Sequence, residues 1–267
     1  MNTSSLNQLY KSLKNKKNNN IESIRDLTII HLTDEYSLVI AVDSDGGIGP
    51  QDGDTVKCNP YDLGRFAMRV PLLELLSCGA IPVAAFDMLS LPMNHIGKEI
   101  VRGVRDELMM ANLGEDFPLS GSTEDNVPTN MTSIGTTIIG MVNEREFTIG
   151  KTRKDDLVLC VGLPKSAPED VIRLDDKEIV NQSDVQKIIK IDGVHEILPV
   201  GSKGIKNETQ QLAETVSLNI NFIDNQSINL EKSGGPSTCL LISCEAKSFP
   251  MITDILQIPV NKIAKLI

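Results

Sequence analysis

The chain is poor in aromatic residues. They make up 3% of 267 residues, and tryptophan is absent. An aromatic platform for stacking bases is therefore not expected. The hydrophobic 40% must build its core from Ile, Leu, Val, Met and Ala. Positive charge is also in deficit. A net charge of −10 argues against nucleic acid or an anionic membrane as the main partner. No apolar run reaches about 18 residues, so no membrane span is expected. The first residues lack the apolar stretch of a signal peptide. Cys58, Cys78, Cys160, Cys239 and Cys244 form no C-x-x-C pair, which suits reduced structural thiols in a cytoplasmic protein. His31, His95 and His195 lie far apart, without the spacing of a zinc site or a Ser-His-Asp triad.

What is present reads as two α/β units. Residues 1–24 form an extension. Leu6, Leu9, Tyr10 and Leu13 fall at helical spacing, and Lys16-Lys17-Asn18-Asn19-Asn20 follows as a mobile stretch. Residues 25–150 alternate strand and helix. Ser37–Val42 is a strand of buried type. A helix begins at Asn59 (cap), Pro60 and Asp62, and stops at Gly79, with Pro71 expected to kink it. Ile81–Leu91 reads as a strand. Ile96–Leu113 reads as an amphipathic helix buried along Ile100, Val104, Leu108 and Ala111. Phe117–Thr129 reads as a polar loop and Thr132–Val142 as a strand. The second unit, 151–267, contributes a strand at Leu157–Val161 and a helix at Ser183–Ile191 capped by Ser183. A further helix holds Glu208–Thr215, a strand covers Ser237–Cys244, and the tail from Phe249 reads as helical, broken at Pro259.

Chemistry could sit at several places. Asp43, Asp45, Asp52 and Asp54 stand among Gly46, Gly47, Gly49 and Gly53 at the end of a strand. Carboxylates beside glycines suit a magnesium nucleotide, and equally describe an ordinary acidic turn. The segment lacks the twelfth-position Glu of an EF-hand loop and the G-K-[ST] of a Walker A motif. Glu74 interrupts the apolar run Val70–Leu76, so it is either a ligand or a solvent-facing residue. Gly121-Ser122-Thr123-Glu124-Asp125-Asn126 is a binding loop or a plain turn. So are Gly201-Ser202-Lys203-Gly204 and Ser233-Gly234-Gly235-Pro236-Ser237-Thr238.

The order of these segments resembles the superfamily of aminoimidazole ribonucleotide synthase, thiamine-monophosphate kinase, selenophosphate synthetase and HypE. Leu73-Glu74-Leu75-Leu76-Ser77-Cys78-Gly79-Ala80-Ile81-Pro82 is similar to the kinase segment S-D-I-A-A-M-G-A-x-P. Asp43 falls on the Asp of a T-D-M strand, and Gly121–Glu124 resembles the G-G-D-T or G-G-E-T loop. Arg25-Asp26-Leu27-Thr28, the Gly-Ser-Thr-Glu loop with Asn126, and Gly201–Ile205 look most like alpha-ribazole kinases. The usual G-D-D-A-A segment is missing, and Asp26 could take part of its role.

The resemblance implies an ATP-binding and magnesium-binding domain over 25–150 and a smaller α/β domain over 151–267. It implies a homodimer whose N-terminal sheets pair into a β-barrel, with Val39, Ile138 and Ile139 expected on the exposed face. The cofactors implied are Mg²⁺ and ATP. Asp43, Asp45, Glu74 and Glu124 would hold the metal. Asp26, Gly46, Gly47, Gly121, Ser122, Thr123, Asp125 and Asn126 would hold the nucleotide, and Lys203 and Gly204 the acceptor. No general base can be named. The activity implied is phosphorylation of a riboside, alpha-ribazole, at its 5′-hydroxyl. The alternatives are a thiamine-monophosphate kinase or a non-catalytic nucleotide-binding protein. The reactive N-terminal Cys of selenophosphate synthetase and the terminal Cys of HypE have no counterpart.

Overall fold

A computed structural model describes residues 3–15, 20–224 and 227–267. The lysine–asparagine stretch expected to be mobile lies mostly outside the described residues. The chain runs through helix α1 (Thr3–Lys14) and strands β1 (Ile21–Ile24), β2 (Leu27–His31), β3 (Tyr36–Gly46), β4 (Ile48–Gly49) and β5 (Val56–Lys57). Helix α2 (Pro60–Ser77), strand β6 (Ile81–Leu89), helix α3 (Lys98–Met110) and strands β7 (Leu119–Thr123) and β8 (Ser133–Asn143) follow. The second half contains β9 (Leu157–Val161), α4 (Gln182–Ile188), β10 (Val194–Pro199) and α5 (Gly204–Thr215). It ends with β11 (Ile220–Phe222), β12 (Leu240–Cys244), α6 (Phe249–Ile255) and β13 (Val260–Leu266).

The first sheet has strand order β1-β2-β3-β8-β6-β7, and only β6–β7 among its pairs is parallel. One face packs under α2 and α3. Gly64 and Gly103 allow that helix pair its close approach. A Cβ on Gly64 would stand 2.0 Å from the carbonyl oxygen of Ile100, and one on Gly103 2.1 Å from that of Tyr61. The opposite face of the sheet is open at Val42, 59% exposed, and Ile81, 69% exposed, and only partly buried between them. Alternation along the strands decides which residues lie there. Val39 and Ile138, expected on the open face, are fully buried on the helix side. Ile139, paired with Ile40 on β3, lies on the open side among Leu38, Phe86 and Met141.

The second sheet has order β10-β12-β9-β13-β11. A core of Leu159, Val185, Ile188 and Ile252 covers one face, and α5 packs its Ile205 and Leu212 on the other. Helix α2 serves both halves. Its Leu72 and Leu75 join the first core, while Leu73 is buried in the second. A helix apolar on nearly every side is a buried one, and α2 is the spine between the domains. Asn59 caps it by accepting from the Tyr61 N–H, and the chain leaves through Gly79 at φ +85. It passes Pro71 without a break in the helix.

Several elements differ from the sequence reading. The Asp43–Gly46 segment continues β3 rather than turning away, because β8 pairs with it to Ser133. The expected loop after α3 contains β7, held by β6. Ile21–Ile24, read as part of the extension, pairs with β2. Asn181, not Ser183, caps α4, through a capping box with Asp184. Val260–Leu266 is a strand rather than helix because it lies between β9 and β11.

Candidate functional site

Between the two domains lies a cleft of about 840 Å³. Its first-domain wall starts on β3. Val39 and Ala41 point under the helices, so the alternation carries Asp43 and Asp45 to that same side, beyond the helix cover. Glu74 enters from α2, one residue after the buried Leu73. Asp26 enters from the β1–β2 turn. Ile48, Thr55, Val56, Lys57, Cys58, Leu63 and Phe66 also line this wall.

The second-domain wall is made of loops at one end of its sheet. The segment after β9 contributes Ser166, Ala167, Pro168, Val171 and Ile172. The turn after β10 contributes Gly201 and Ser202, and the segment before β12 contributes Ser233, Gly235, Pro236 and Ser237. Because β12 runs antiparallel to β9 and β10, all three loops emerge together.

The floor is strongly acidic. Burial pushes Glu74 up to about 8, helped by the charges of Asp26 and Glu208 and opposed by Arg25. Burial and then the neighbouring Asp43 push Asp45 up to about 7. Asp43 is raised by burial and by Asp26. Glu208, on α5, is also raised, chiefly by burial. Among the described residues none of these five carboxylates forms an ion pair, whereas Glu107 and Glu196 elsewhere do. Lys57, on the cleft wall, donates to the backbone carbonyls of Gln51 and Asp52 instead. Carboxylates crowded together without a cation bind one favourably.

The set fits magnesium arriving with a nucleotide. Among the described residues no three Asp, Glu, His or Cys side chains converge into a cage for a bare ion. Magnesium characteristically takes one or two carboxylates, waters and substrate phosphates rather than a complete protein cage.

The other expected residues divide clearly. Asp54 does not face the cleft chemistry. Burial raises it, but hydrogen bonds from the Thr132 hydroxyl and N–H and the Gln51 N–H hold it below the ordinary range. Gly46 and Gly47 border the cleft without lining it. Gly47, at φ +72, instead accepts from the Thr55 and Val56 N–H groups.

Glu124 stands apart from the floor. Asp45 pairs with Ile134, Ile134 with Leu89, and Leu89 with Thr123, so three strand spacings, roughly 14 Å, intervene. The Glu124 carboxylate accepts from the Asn126 and Val127 N–H groups, while Asp125 accepts from Thr123. Gly121, Ser122 and Asn126 lie with them on the sheet edge, outside the cleft. Lys203 is exposed beside Glu208, and Gly204, at φ +82, is buried at the start of α5. Neither lines the cleft, although Gly201 and Ser202 of the same turn do.

The Ser233–Thr238 segment, which the sequence left open between turn and site, supplies four lining residues. Glu208 and the Ser166–Ile172 loop were not anticipated. A signal for Glu208 existed: it lies one helical turn after the Gly201–Gly204 turn. His31 bonds Ser37, Glu144 and Glu22, and His195 bonds Asp156, so both are structural. Cys58 borders the cleft, but burial, with Asp62 and Asp45, pushes its thiol up to about 11, so it is not a thiolate nucleophile.

Residues 25–142 match the family described as AIR synthase related protein, N-terminal domain. No curated protein matches the chain. Among solved structures, PurL of Thermotoga maritima complexed with ATP is 15% identical with a TM-score of 0.62. The match covers 90% of this chain and 42% of that one, so the chain spans less than half of that protein. Thiamine-monophosphate kinase from Stenotrophomonas maltophilia K279a is 14% identical with a TM-score of 0.61, covering 99% of this chain and 93% of that one. AaThiL complexed with AMPPCP and TMP is 15% identical with a TM-score of 0.61, covering 98% and 89%. At these identities the likeness is one of fold.

Proposed function

We propose, for a chain that has the fold of the AIR synthase-like superfamily and whose residues 25–142 are an AIR synthase related N-terminal domain, that it transfers the γ-phosphoryl group of ATP to a hydroxyl of a small molecule. The observation that carries this reading is the cleft floor. Asp26, Asp43, Asp45 and Glu74 face one cavity, and among the described residues none of them forms an ion pair. A metal nucleotide supplies the balancing cation. Relatives of the same fold have been solved with ATP or with AMPPCP.

In this reading one or two of Asp43, Asp45 and Glu74 would hold Mg²⁺ together with the phosphates, and the ion would neutralise charge on them. The rest of the chemistry is positioning. Ile48, Val56, Leu63 and Phe66 give the nucleotide an apolar wall. The serines of the second-domain wall orient the acceptor hydroxyl in line with the γ-phosphate. Among the described residues no histidine lines the cleft, and a loose phosphoryl transition state places little demand on a general base.

The acceptor we favour is alpha-ribazole at its 5′-hydroxyl. Among the described residues two lysines beside the second-domain wall already have partners. Lys165 lies 2.7 Å from both Asp176 and Glu178, and Lys232 2.7 Å from Asp170. A neutral riboside needs no further cation, whereas an acceptor that is itself a phosphate does. The whole-length fold match to thiamine-monophosphate kinase supports the competing acceptor. The purified protein, given ATP, magnesium and both acceptors in competition, is expected to phosphorylate alpha-ribazole with the higher kcat/KM. Preferential formation of thiamine diphosphate would reject the acceptor and keep the phosphotransfer. No turnover with any riboside, but tight Mg-ATP binding, would leave a nucleotide-binding protein.

The uncovered sheet face carries a second part of the reading, a homodimer. An apolar face of this extent is rarely left in water. Ile81→Glu is expected to convert a dimer to a monomer in light scattering at micromolar concentration. A wild-type monomer there would reject the assembly.

A further inference from the structure

The β1–β2 hairpin turns through two residues, Arg25 and Asp26, between the paired Ile24 and Leu27. Arg25 sits at φ +56. A two-residue hairpin that needs positive φ at its first turn position ordinarily places glycine there, since a Cβ is disfavoured in that region. The sequence instead places its bulkiest cation in a disfavoured conformation, so something outside the hairpin must hold it.

That something is the second domain. The Arg25 side chain is 6% exposed. Its Nη2 lies 2.6 Å from Oε1 of Glu196, whose side chain is fully buried on β10. The same nitrogen donates to the Thr215 hydroxyl at the end of α5, at 3.2 Å. Glu196 is fixed in turn, because its Oε2 accepts from the Thr152 hydroxyl at 2.7 Å and from the Thr152 N–H at 3.2 Å. The Thr152 hydroxyl also meets Ser243 on β12. One side chain therefore ties the first-domain hairpin to β10 and α5 of the second domain, and through Glu196 to Thr152. The next residue along the turn, Asp26, lines the cleft beside Glu74 and Asp43.

We infer that Arg25 is a positioning residue: pinned by Glu196, it fastens the β1–β2 turn across the domain seam, and so fixes both where Asp26 stands and how far apart the two cleft walls are. This rests on the reading of the cleft as a metal–nucleotide site. Arg25 itself touches no nucleotide in this scheme. It acts through Asp26 and through the seam. The strained turn is the local counterpart of that role, since a glycine would relax the backbone and lose the tie.

The test compares Arg25→Gly, Arg25→Lys, Asp26→Asn and the Arg25→Gly/Asp26→Asn pair in the full chain. Mg-ATP dissociation constants are measured by calorimetry on the folded fraction. Arg25→Gly is expected to weaken Mg-ATP at least tenfold, and Arg25→Lys, which keeps a cation within reach of Glu196, to recover part of that loss. Because Arg25 acts largely through Asp26, the pair should be little worse than the poorer single variant. An Arg25→Gly constant within twofold of wild type, or fully additive effects of the two changes, would overturn the inference. If the wild type binds no Mg-ATP, the functional reading fails separately, and amide exchange then decides the latch. Faster exchange in Arg25→Gly at both the 21–31 hairpin and the 204–215 helix upholds it. Faster exchange confined to the hairpin rejects it.

Discussion

The clasp between α2 and α3 and the floor of the cleft both bury acidic side chains, and they treat them in opposite ways. In the clasp, Glu107 is fully buried and meets two guanidinium groups. Arg65 Nε lies 2.6 Å from it and Arg69 Nε 2.7 Å. Tyr61 extends the network by donating to Asp106 and accepting from Arg65. On the floor, Asp43, Asp45 and Glu74 face one another with no such partner. Helix α2 supplies residues to both regions, with Arg65 and Arg69 on one side and Glu74 on another. A buried carboxylate with its cations already present is part of the scaffold. A group of carboxylates lacking them is left to be completed by something the chain does not contain.

The sharpest way to break this comparison is to remove the clasp carboxylate. Glu107→Ala strands two buried guanidinium groups. Removing one partner of a buried ion pair costs about 3–5 kcal/mol. For a chain of this size that is on the order of 10 °C in Tm. Mg-ATP affinity of the folded fraction should change little. A Tm within about 2 °C of wild type would show that the clasp is not the scaffold element described here.

Glu74→Gln should do the reverse. It is expected to weaken Mg-ATP binding or turnover at least tenfold, about 1.4 kcal/mol, without destabilising the metal-free protein. The sign of the pH effect follows from the floor itself. Glu74 and Asp45 are raised in the folded protein to about 8 and about 7, from ordinary values of 4.5 and 3.8. Between those limits the folded state keeps protons that the unfolded chain releases. Metal-free stability contributed by these groups is therefore greatest at low pH in this window and falls as pH rises towards 8. Glu74→Gln removes part of that fall, so its Tm should exceed that of wild type at pH 8 and converge with it near pH 5. Unchanged binding in a folded Glu74→Gln protein would remove Glu74 from the ligand set. A parallel pH dependence of the two proteins would show that Glu74 is not buried as a charge.

What the sequence made legible follows the same division between local and distant causes. The cap at Asn59, the stop at Gly79 and the buried stripe of α3 are written in neighbouring residues, and they stand where expected. Strand β13 is not written that way. The tail from Phe249 has apolar residues that fit either period, and only its neighbours β9 and β11 make Val260–Leu266 extended. The floor was half legible. Asp43 and Asp45 end a strand and Glu74 interrupts an apolar run, so each is unusual in its own segment. Glu208 is an ordinary residue on an amphipathic helix, and its charge reaches Glu74 and Asp26 only because the domains meet there. The tie made by Arg25 is likewise invisible locally, since its partner Glu196 lies 171 residues away.

The smallest effect is expected at Glu124, and it tests whether an acid in a glycine turn can be told from an acid on the floor. Both belong to short Gly-rich acidic segments at one end of the first sheet. The difference is in what their oxygens already do. The Glu124 carboxylate accepts at 2.7 Å from Asn126 and at 3.1 Å from Val127, closing its own turn. About 14 Å of sheet separates that turn from Asp45. A magnesium ion held at about 2.1 Å by Asp43 and Asp45 cannot also be held by Glu124 of the same chain. Glutamine at position 124 keeps a side-chain oxygen able to accept from both N–H groups, so the turn should persist. Glu124→Gln is therefore expected to leave Mg-ATP affinity within about twofold, or roughly 0.4 kcal/mol, where Glu74→Gln loses tenfold or more. Equal losses in the two variants would mean that Glu124 does reach the nucleotide. The open sheet face then gives the route, because only a partner chain packed there could carry its own Glu124 turn to this cleft. Mixing Glu124→Gln with Glu74→Gln chains would show it: complementation to a fraction of wild-type binding requires sites built from two chains, and its absence confines the site to one.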